Sequence, residues 1–247
     1  MSSILTHLIS MKIVWWNIFG PHPLLDHSEV YKNIELLSKT HEVLFLGEYN
    51  PKTFSQIEKE KILKTHPNFY FFKHKIRPDG VAIFSKHSLD VSKTYFKSSE
   101  SFYLETSLLG KKLLITHLRH NWHTIKENDG LLAVPKILMG NLFDTGSMIN
   151  NQTNELLEVI KDKDLIIGDL NTFPSFLGKK SYLYKEFHKI GFKDNIKETT
   201  WPNPKVEFIK YPSLTLDQVF SKNKIDSQKI SIDGSDHYPI SIKLEHQ

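Results

Sequence analysis

Apolar positions along the chain fall into short β-branched and aromatic runs that alternate with amphipathic stretches. The runs predict nine strands, over residues 12–17, 43–46, 69–72, 81–85, 102–108, 112–116, 165–168, 216–220 and 240–244. Helical spacing appears over residues 29–38, where Val30, Ile34 and Leu37 recur on one face. Residues 151–160 and 182–190 give two further helices. Nine strands with so few helices between them are not a strict βαβ series. They predict an α/β protein in which hairpin-joined strands form two packed sheets covered by helices.

Trp15 and Trp16 are neighbours on the first strand and face opposite sides, so at least one is core. No repeat or low-complexity linker divides the chain. Residues 1–247 therefore read as a single domain, with about 1–10 a flexible N-terminal extension. One stretch breaks the rhythm. Between Thr116 and the helix near Asn151 lie more than thirty residues with three glycines and a proline. Connections of that length are usually functional or disordered. With a short helix over 131–139, the 119–150 connection reads either as a substrate-facing lid or as a loose loop.

Composition then removes whole classes. Apolar residues make up 39% and charged residues 24%, which excludes wholesale disorder. The chain has no cysteine, which rules out a disulfide scaffold, a thiolate zinc site and a cysteine nucleophile. No apolar run approaches the ~20 residues that cross a bilayer, and the first ten residues do not resemble a signal peptide. A cytoplasmic monomer without stable membrane insertion is the expectation. The net charge of +4 and a pI near 8.9 suit an anionic, phosphate-bearing partner. Lys179, Lys180, Lys185, Lys189 and Lys193 cluster around a predicted helix, where a solvated helix face is the plain reading.

The chemistry gathers at strand ends. Lys-Ile-Val-Trp-Trp runs into Asn17, Val-Leu-Phe-Leu-Gly into Glu48, and Leu-Leu-Ile-Thr into His117. Leu-Ile-Ile-Gly runs into Asp169 and, two on, Asn171. Asp217 lies in Thr-Leu-Asp-Gln-Val-Phe, and Asp236 and His237 just precede the last strand. A lone carboxylate on an apolar strand is costly unless paired or on a metal. Asp169 by itself would suit a Gly-Asp-x-Asn turn. Four acids, two asparagines and two histidines so arranged point instead to one site. Hard oxygen ligands select Mg²⁺ or Mn²⁺, and imidazoles beside them donate to a phosphate or move protons.

The ordered series Trp-Asn17, Gly-Glu48, Thr-His117-Leu, Gly-Asp169-Leu-Asn171, Leu-Asp217-Gln-Val and Gly-Ser-Asp236-His237-Tyr-Pro resembles the endonuclease/exonuclease/phosphatase, or DNase I-like, superfamily. Gly80-Val-Ala-Ile-Phe-Ser-Lys86 resembles a further strand of that family. The resemblance implies a four-layer αββα sandwich of two mixed sheets flanked by helices. It also implies metal-assisted cleavage of phosphate esters by in-line attack of water. Glu48 is then the principal metal ligand, with Asn17 and Asp236 beside it. Asp169 orients or deprotonates the attacking water, and Asn171 holds a phosphate oxygen. His237, oriented by Asp217, stabilises the transition state, and His117 is a phosphate donor or an acid for the leaving group. The chain departs from the family at Gln218, where relatives often carry His or Tyr. At His117, abasic-site enzymes tend to have Tyr, which argues against an abasic-site repair role. The Thr200-Trp201-Pro202 segment resembles poorly characterised bacterial members.

Plainer readings remain beside these. Arg119 would either clamp a phosphate or form a surface ion pair. The spacing of His117, His120 and His123 is poor zinc geometry. Trp122 and Trp201 would stack on bases or pack in core and loop. His22, His27 and His74 have no argument beyond exposure. The expected function is a phosphodiesterase acting on nucleic acid, DNA ahead of RNA. The alternatives are a hydrolase of phosphoinositide or sphingolipid headgroups and a non-catalytic scaffold of the same fold.

Overall fold

The structure, a computed structural model, describes residues 10–18, 27–53, 56–119, 148–172, 174–176, 179–201 and 214–246. The strands begin with β1 (Ser10–Asn17), β2 (Val43–Tyr49), β3 (Asn68–Lys73) and β4 (Gly80–Ser85). They continue with β5 (Val91–Tyr95), β6 (Phe102–Leu108), β7 (Lys111–His117) and β8 (Leu165–Asp169). The last are β9 (Ser175–Phe176), β10 (Lys179–Lys180), β11 (Lys193–Asp194), β12 (Asp217–Ser221), β13 (Asp226–Lys229) and β14 (Ile240–Glu245). They form two six-stranded sheets, ordered β13-β14-β1-β2-β4-β3 and β11-β12-β8-β7-β6-β5, and a small β9–β10 ribbon.

All nine predicted strands form. Of the five strands not predicted, β9 and β10 are two-residue strands that pair with each other, and β5, β11 and β13 lie at sheet edges, where little is buried and apolar alternation is weak. Helices His27–Ser38, Met148–Val159 and Tyr182–Lys189 match their sequence patterns. Helix Gln56–Leu63 was not legible, because only Ile62 in it is buried. The extension before Ser10, the 131–139 helix and residues 120–147 of the long connection lie outside the described residues. Among the described residues, no helix is long and apolar enough to cross a membrane.

Strand alternation builds the layers. Met11, Ile13 and Trp15 of β1 meet Leu113 and Ile115 of β7, Leu165 and Ile167 of β8 and Val219 of β12 in the core between the sheets. Val14 and Trp16 point the other way, onto Val30, Ile34 and Leu37 of helix His27–Ser38. On the second sheet Leu114 and Ile166 meet Leu156, Leu183 and Phe187 of the two later helices. Both tryptophans are therefore fully buried, since each sheet is covered on both faces. The result is the four-layer αββα sandwich.

Each sheet has one parallel pair at its centre, β1 with β2 and β7 with β8, while β14 and β12 run antiparallel beside them. Two strands thus end, and one begins, at the same end of each sheet. The inward rows continue there in polar residues: Asn17 follows Trp15, His117 follows Ile115 and Asp169 follows Ile167. His117, Asp169 and Asp217 are direct partners across β7, β8 and β12, so their side chains share a face.

Glu48 breaks the alternation. An irregularity in the β2–β4 register between Leu46 and Tyr49 inserts one residue, and Glu48 sits at φ 54°. The bulge turns Glu48 inward and leaves Tyr49 on the helix-facing side. Gly168 admits no side chain, because a Cβ there would lie 1.7 Å from the Thr116 carbonyl oxygen of the neighbouring strand. Gly168→Ala should therefore destabilise the protein by about 3 kcal/mol or more, by overpacking at the β7–β8 pair. Gly110→Ala, in open space at φ 76°, should cost about 1 kcal/mol. Urea unfolding of the two variants checks this, and equal losses would contradict it.

Candidate active site

The structure brings Asn17, Glu48, His117, Asp169, Asp217, Asp236 and His237 together at one end of the sandwich, all of them buried. Asn17 Nδ2 donates to Asp169 Oδ2 at 2.9 Å, linking β1 to β8 across the sheets. Trp15 Nε1 donates to Asp217 Oδ1 at 2.9 Å, and His237 Nδ1 bonds Asp217 Oδ2 at 2.6 Å. His117 Nε2 stands 3.6 Å from both Glu48 Oε1 and Asp169 Oδ2. The segment carrying His237 is pinned to β1, since Trp16 Nε1 donates to the His237 carbonyl and Ser235 Oγ to the Asn17 carbonyl.

These contacts sort the protonation states. Burial disfavours the His237 cation, but the charges of Asp217, Asp236 and Asp169 outweigh it and hold the pKa well above the usual imidazole value. His117 goes the other way. Burial, reinforced by His74, Arg119 and Arg77, pushes its pKa far down and keeps the ring neutral. Burial raises the pKa of Asp169, and the nearby Asp217 charge raises it further, against the pull of His237 and the Asn171 N–H. Glu48 is raised by burial, with Arg77 opposing.

Asn171, at φ 47°, donates its backbone N–H to Asp169 Oδ1 at 2.8 Å, and its side chain donates to the Leu118 carbonyl at 2.7 Å. That places it beside the site as a brace between two strand ends. Arg119 corrects the surface alternative: it is buried, with Nη1 3.4 Å from Glu100 Oε1. Gln218 touches Ile196 and Tyr184 behind the site. Trp201 spends its indole N–H on Asp236 Oδ2 at 3.0 Å. Trp122, His22, His120 and His123 lie outside the described residues, and His27 opens helix His27–Ser38. Lys180, Lys185, Lys189 and Lys193 are exposed, Lys189 being paired with Glu186.

Sequence reasoning missed three residues. His74, expected to be exposed, is buried with its ring 5.9 Å from that of His117. Arg77 lies 3.5 Å from Glu48 Oε2 and 2.7 Å from the fully buried Asp79. The one available signal was Asp79-Gly80, an acid leading into an otherwise apolar strand.

The donor set fits a divalent cation. Four buried carboxylates, those of Glu48, Asp169, Asp217 and Asp236, share the site, and among the described residues the cations acting on them include Arg77, Arg119 and His237. Asp169, Asp217 and His237 each offer a ligand atom within 4.8 Å of the others. His237 Nδ1 and Asp217 are already committed to each other, however, which leaves the Glu48 side as the better seat for an ion.

The fold has known counterparts. No protein-family model matches the chain, and no curated protein sequence matches it. Among solved structures, truncated Caenorhabditis elegans TDP2 is 18% identical with a TM-score of 0.58, over 96% of this chain and 97% of that one. D. rerio TDP2 complexed with single-strand DNA product is 17% identical, TM-score 0.57, over 95% and 98%. An endonuclease/exonuclease/phosphatase family protein from Leptotrichia buccalis C-1013-b is 17% identical, TM-score 0.60, over 95% and 99%. The chain has the DNase I-like fold of endonuclease/exonuclease/phosphatase proteins.

Asp217→Asn should bring the His237 pKa down toward or below 6.5, because the charge that overcomes burial is gone. NMR titration of the ring checks this. An unchanged high pKa would mean that Asp217 does not hold the proton there.

Proposed function

We propose that the protein is a divalent-metal-dependent phosphodiesterase that hydrolyses nucleic acid, DNA ahead of RNA, by in-line attack of water. The observation that carries this reading is the row His117–Asp169–Asp217, with His237 bonded across it and Glu48 opposite. Asp169, with its raised pKa, takes the proton of the attacking water. His237, kept protonated, donates to phosphoryl oxygens as negative charge grows on them. His117 is neutral, so it donates a hydrogen bond to a phosphate oxygen and is not the acid for the leaving group. Glu48, Asn17 and Asp236 would hold Mg²⁺ or Mn²⁺, which supplies Lewis-acid stabilisation of the phosphoryl oxygens when bound.

Nucleic acid is favoured by the net charge of +4, because a polymer's many phosphates reward distributed positive charge. The DNA product held by D. rerio TDP2 on the same fold supports that choice. Plasmid, single-stranded DNA, RNA and soluble inositol phosphates, each with both metals and at two salt concentrations, test it. Metal-dependent cleavage of the nucleic acids, weakening with salt, is expected. Turnover confined to inositol phosphates would contradict the substrate, and inertness on all four would favour a scaffold.

Residue roles are tested separately. Glu48→Gln should raise the ion concentration needed for activity. Asp169→Asn and His237→Ala should each lower turnover by about 10²–10⁴-fold with the fold retained. Near-full activity in both would contradict the assignment.

A further inference from the structure

A carboxylate can offer a cation one oxygen or both, and the choice bears on which ion it holds. Ca²⁺ accepts two-oxygen carboxylates within about six to eight ligands, whereas Mg²⁺ takes single oxygens in a tight octahedron and keeps several waters. In the seat proposed for the ion, each carboxylate already has one oxygen held. Trp201 Nε1 donates to Asp236 Oδ2 at 3.0 Å, and Arg77 Nη2 donates to Glu48 Oε2 at 3.5 Å.

The other oxygens lack a comparable donor. Ser235 Oγ lies 3.4 Å from Asp236 Oδ1, but its hydrogen goes to the Asn17 carbonyl at 2.8 Å. Glu48 Oε1 stands 3.6 Å from His117 Nε2, beyond hydrogen-bond length. Both holders are themselves braced. Arg77 Nε bonds the fully buried Asp79 at 2.7 Å, so one guanidinium spans two carboxylates. Trp201 exchanges backbone N–H···O bonds with Leu214, and the Thr200 carbonyl accepts the Tyr238 N–H at 2.9 Å. The segment that carries the indole is thereby tied to the segment that carries Asp236.

We propose that Trp201 and Arg77 select the ion: each holds one oxygen of a ligand carboxylate, so Asp236 and Glu48 present a single oxygen apiece, which suits Mg²⁺ or Mn²⁺ and disfavours Ca²⁺. The inference rests on the seat at Glu48, Asn17 and Asp236 and adds what sets its preference. Both are positioning residues, since they act through the carboxylates and need not touch substrate. Asn17 adds one amide oxygen at most, because Nδ2 donates to Asp169. Three single oxygens leave about half an octahedron for water and phosphate oxygens.

Calorimetry with Mn²⁺ and Ca²⁺, on the whole chain stripped of ions by EDTA and dialysis, tests this without substrate. The ion counted is the one whose binding Glu48→Gln weakens. The unsubstituted protein should bind Mn²⁺ more tightly than Ca²⁺. Trp201→Phe keeps an aromatic ring and the backbone bridge but not the N–H. It should weaken Mn²⁺ about tenfold, a usual effect of removing a ligand's partner. Ca²⁺ binding should hold or tighten, because Asp236 can then present both oxygens. Arg77→Lys keeps a cation beside Asp79 but loses the fork that reaches Glu48, and should narrow the preference in the same direction. The thermal midpoint shows whether each variant is folded, and Arg77→Lys carries the test if Trp201→Phe does not fold. An equal loss of both ions, an unchanged ratio, or an unsubstituted protein that prefers Ca²⁺ would overturn the inference and leave the seat standing. No Mn²⁺ bound by the unsubstituted protein would overturn the seat itself, and the inference with it.

Discussion

One buried charge governs this end of the molecule. Asp217 is shielded from water, yet its carboxylate lies between the two sheets. An unpaired carboxylate there would cost several kcal/mol, so donors have to reach it. They come from the opposite sheet: the Trp15 indole on β1 and His237 ahead of β14. The Asp217 backbone N–H is held in turn by Thr200 Oγ1. Sliding one sheet against the other would strand the carboxylate. The bonds that fix how the sheets pack are therefore the bonds that keep His237 charged.

The remainder of the site follows from core-building alternation carried past the last apolar residue. Asn17, His117, Asp169 and Asp217 need no special backbone, because their positions already face inward. Glu48 has the wrong parity and reaches the site only through a bulge with a left-handed residue. Among the described residues, the non-glycine residues with positive φ are Glu48, Asn171 and Leu109, and two of these three are at the site. Such backbone costs about 1–3 kcal/mol each and persists where the surroundings enforce it. Here the enforcement comes from the adjoining strands and the Asp169–Asn171 bond.

The central strands and the catalytic candidates were legible for the same reason. Apolar runs buried on both faces stand out in a sequence, and a carboxylate or imidazole ending such a run stands out more. Edge strands were not legible, since β13 reads Asp-Ser-Gln-Lys and buries little. Helix Gln56–Leu63 packs through Ile62 and so has no apolar stripe to detect. His74, Arg77 and Asp79 lie between β3 and β4, where no periodicity says which side chains turn inward. The groups that His74 and Arg77 meet there, Phe102, His117 and Glu48, are all distant in sequence. Arg119 was legible as a residue near His117 but not as a buried one.

The seat of a divalent ion would decide which carboxylates face the substrate. The proposed seat is Glu48 with Asn17 and Asp236; the alternative is Asp169–Asp217–His237, whose ligand atoms lie within 4.8 Å of one another. The second would have to surrender the 2.6 Å bond that fixes both the sheets and the His237 proton. Crystals soaked in Mn²⁺ and measured for anomalous scattering decide between them. An anomalous peak beside the Glu48 carboxylate, with the His237–Asp217 bond intact, is the result this account predicts. A peak between Asp169, Asp217 and His237 with that bond broken, or no peak at saturating Mn²⁺, would contradict it.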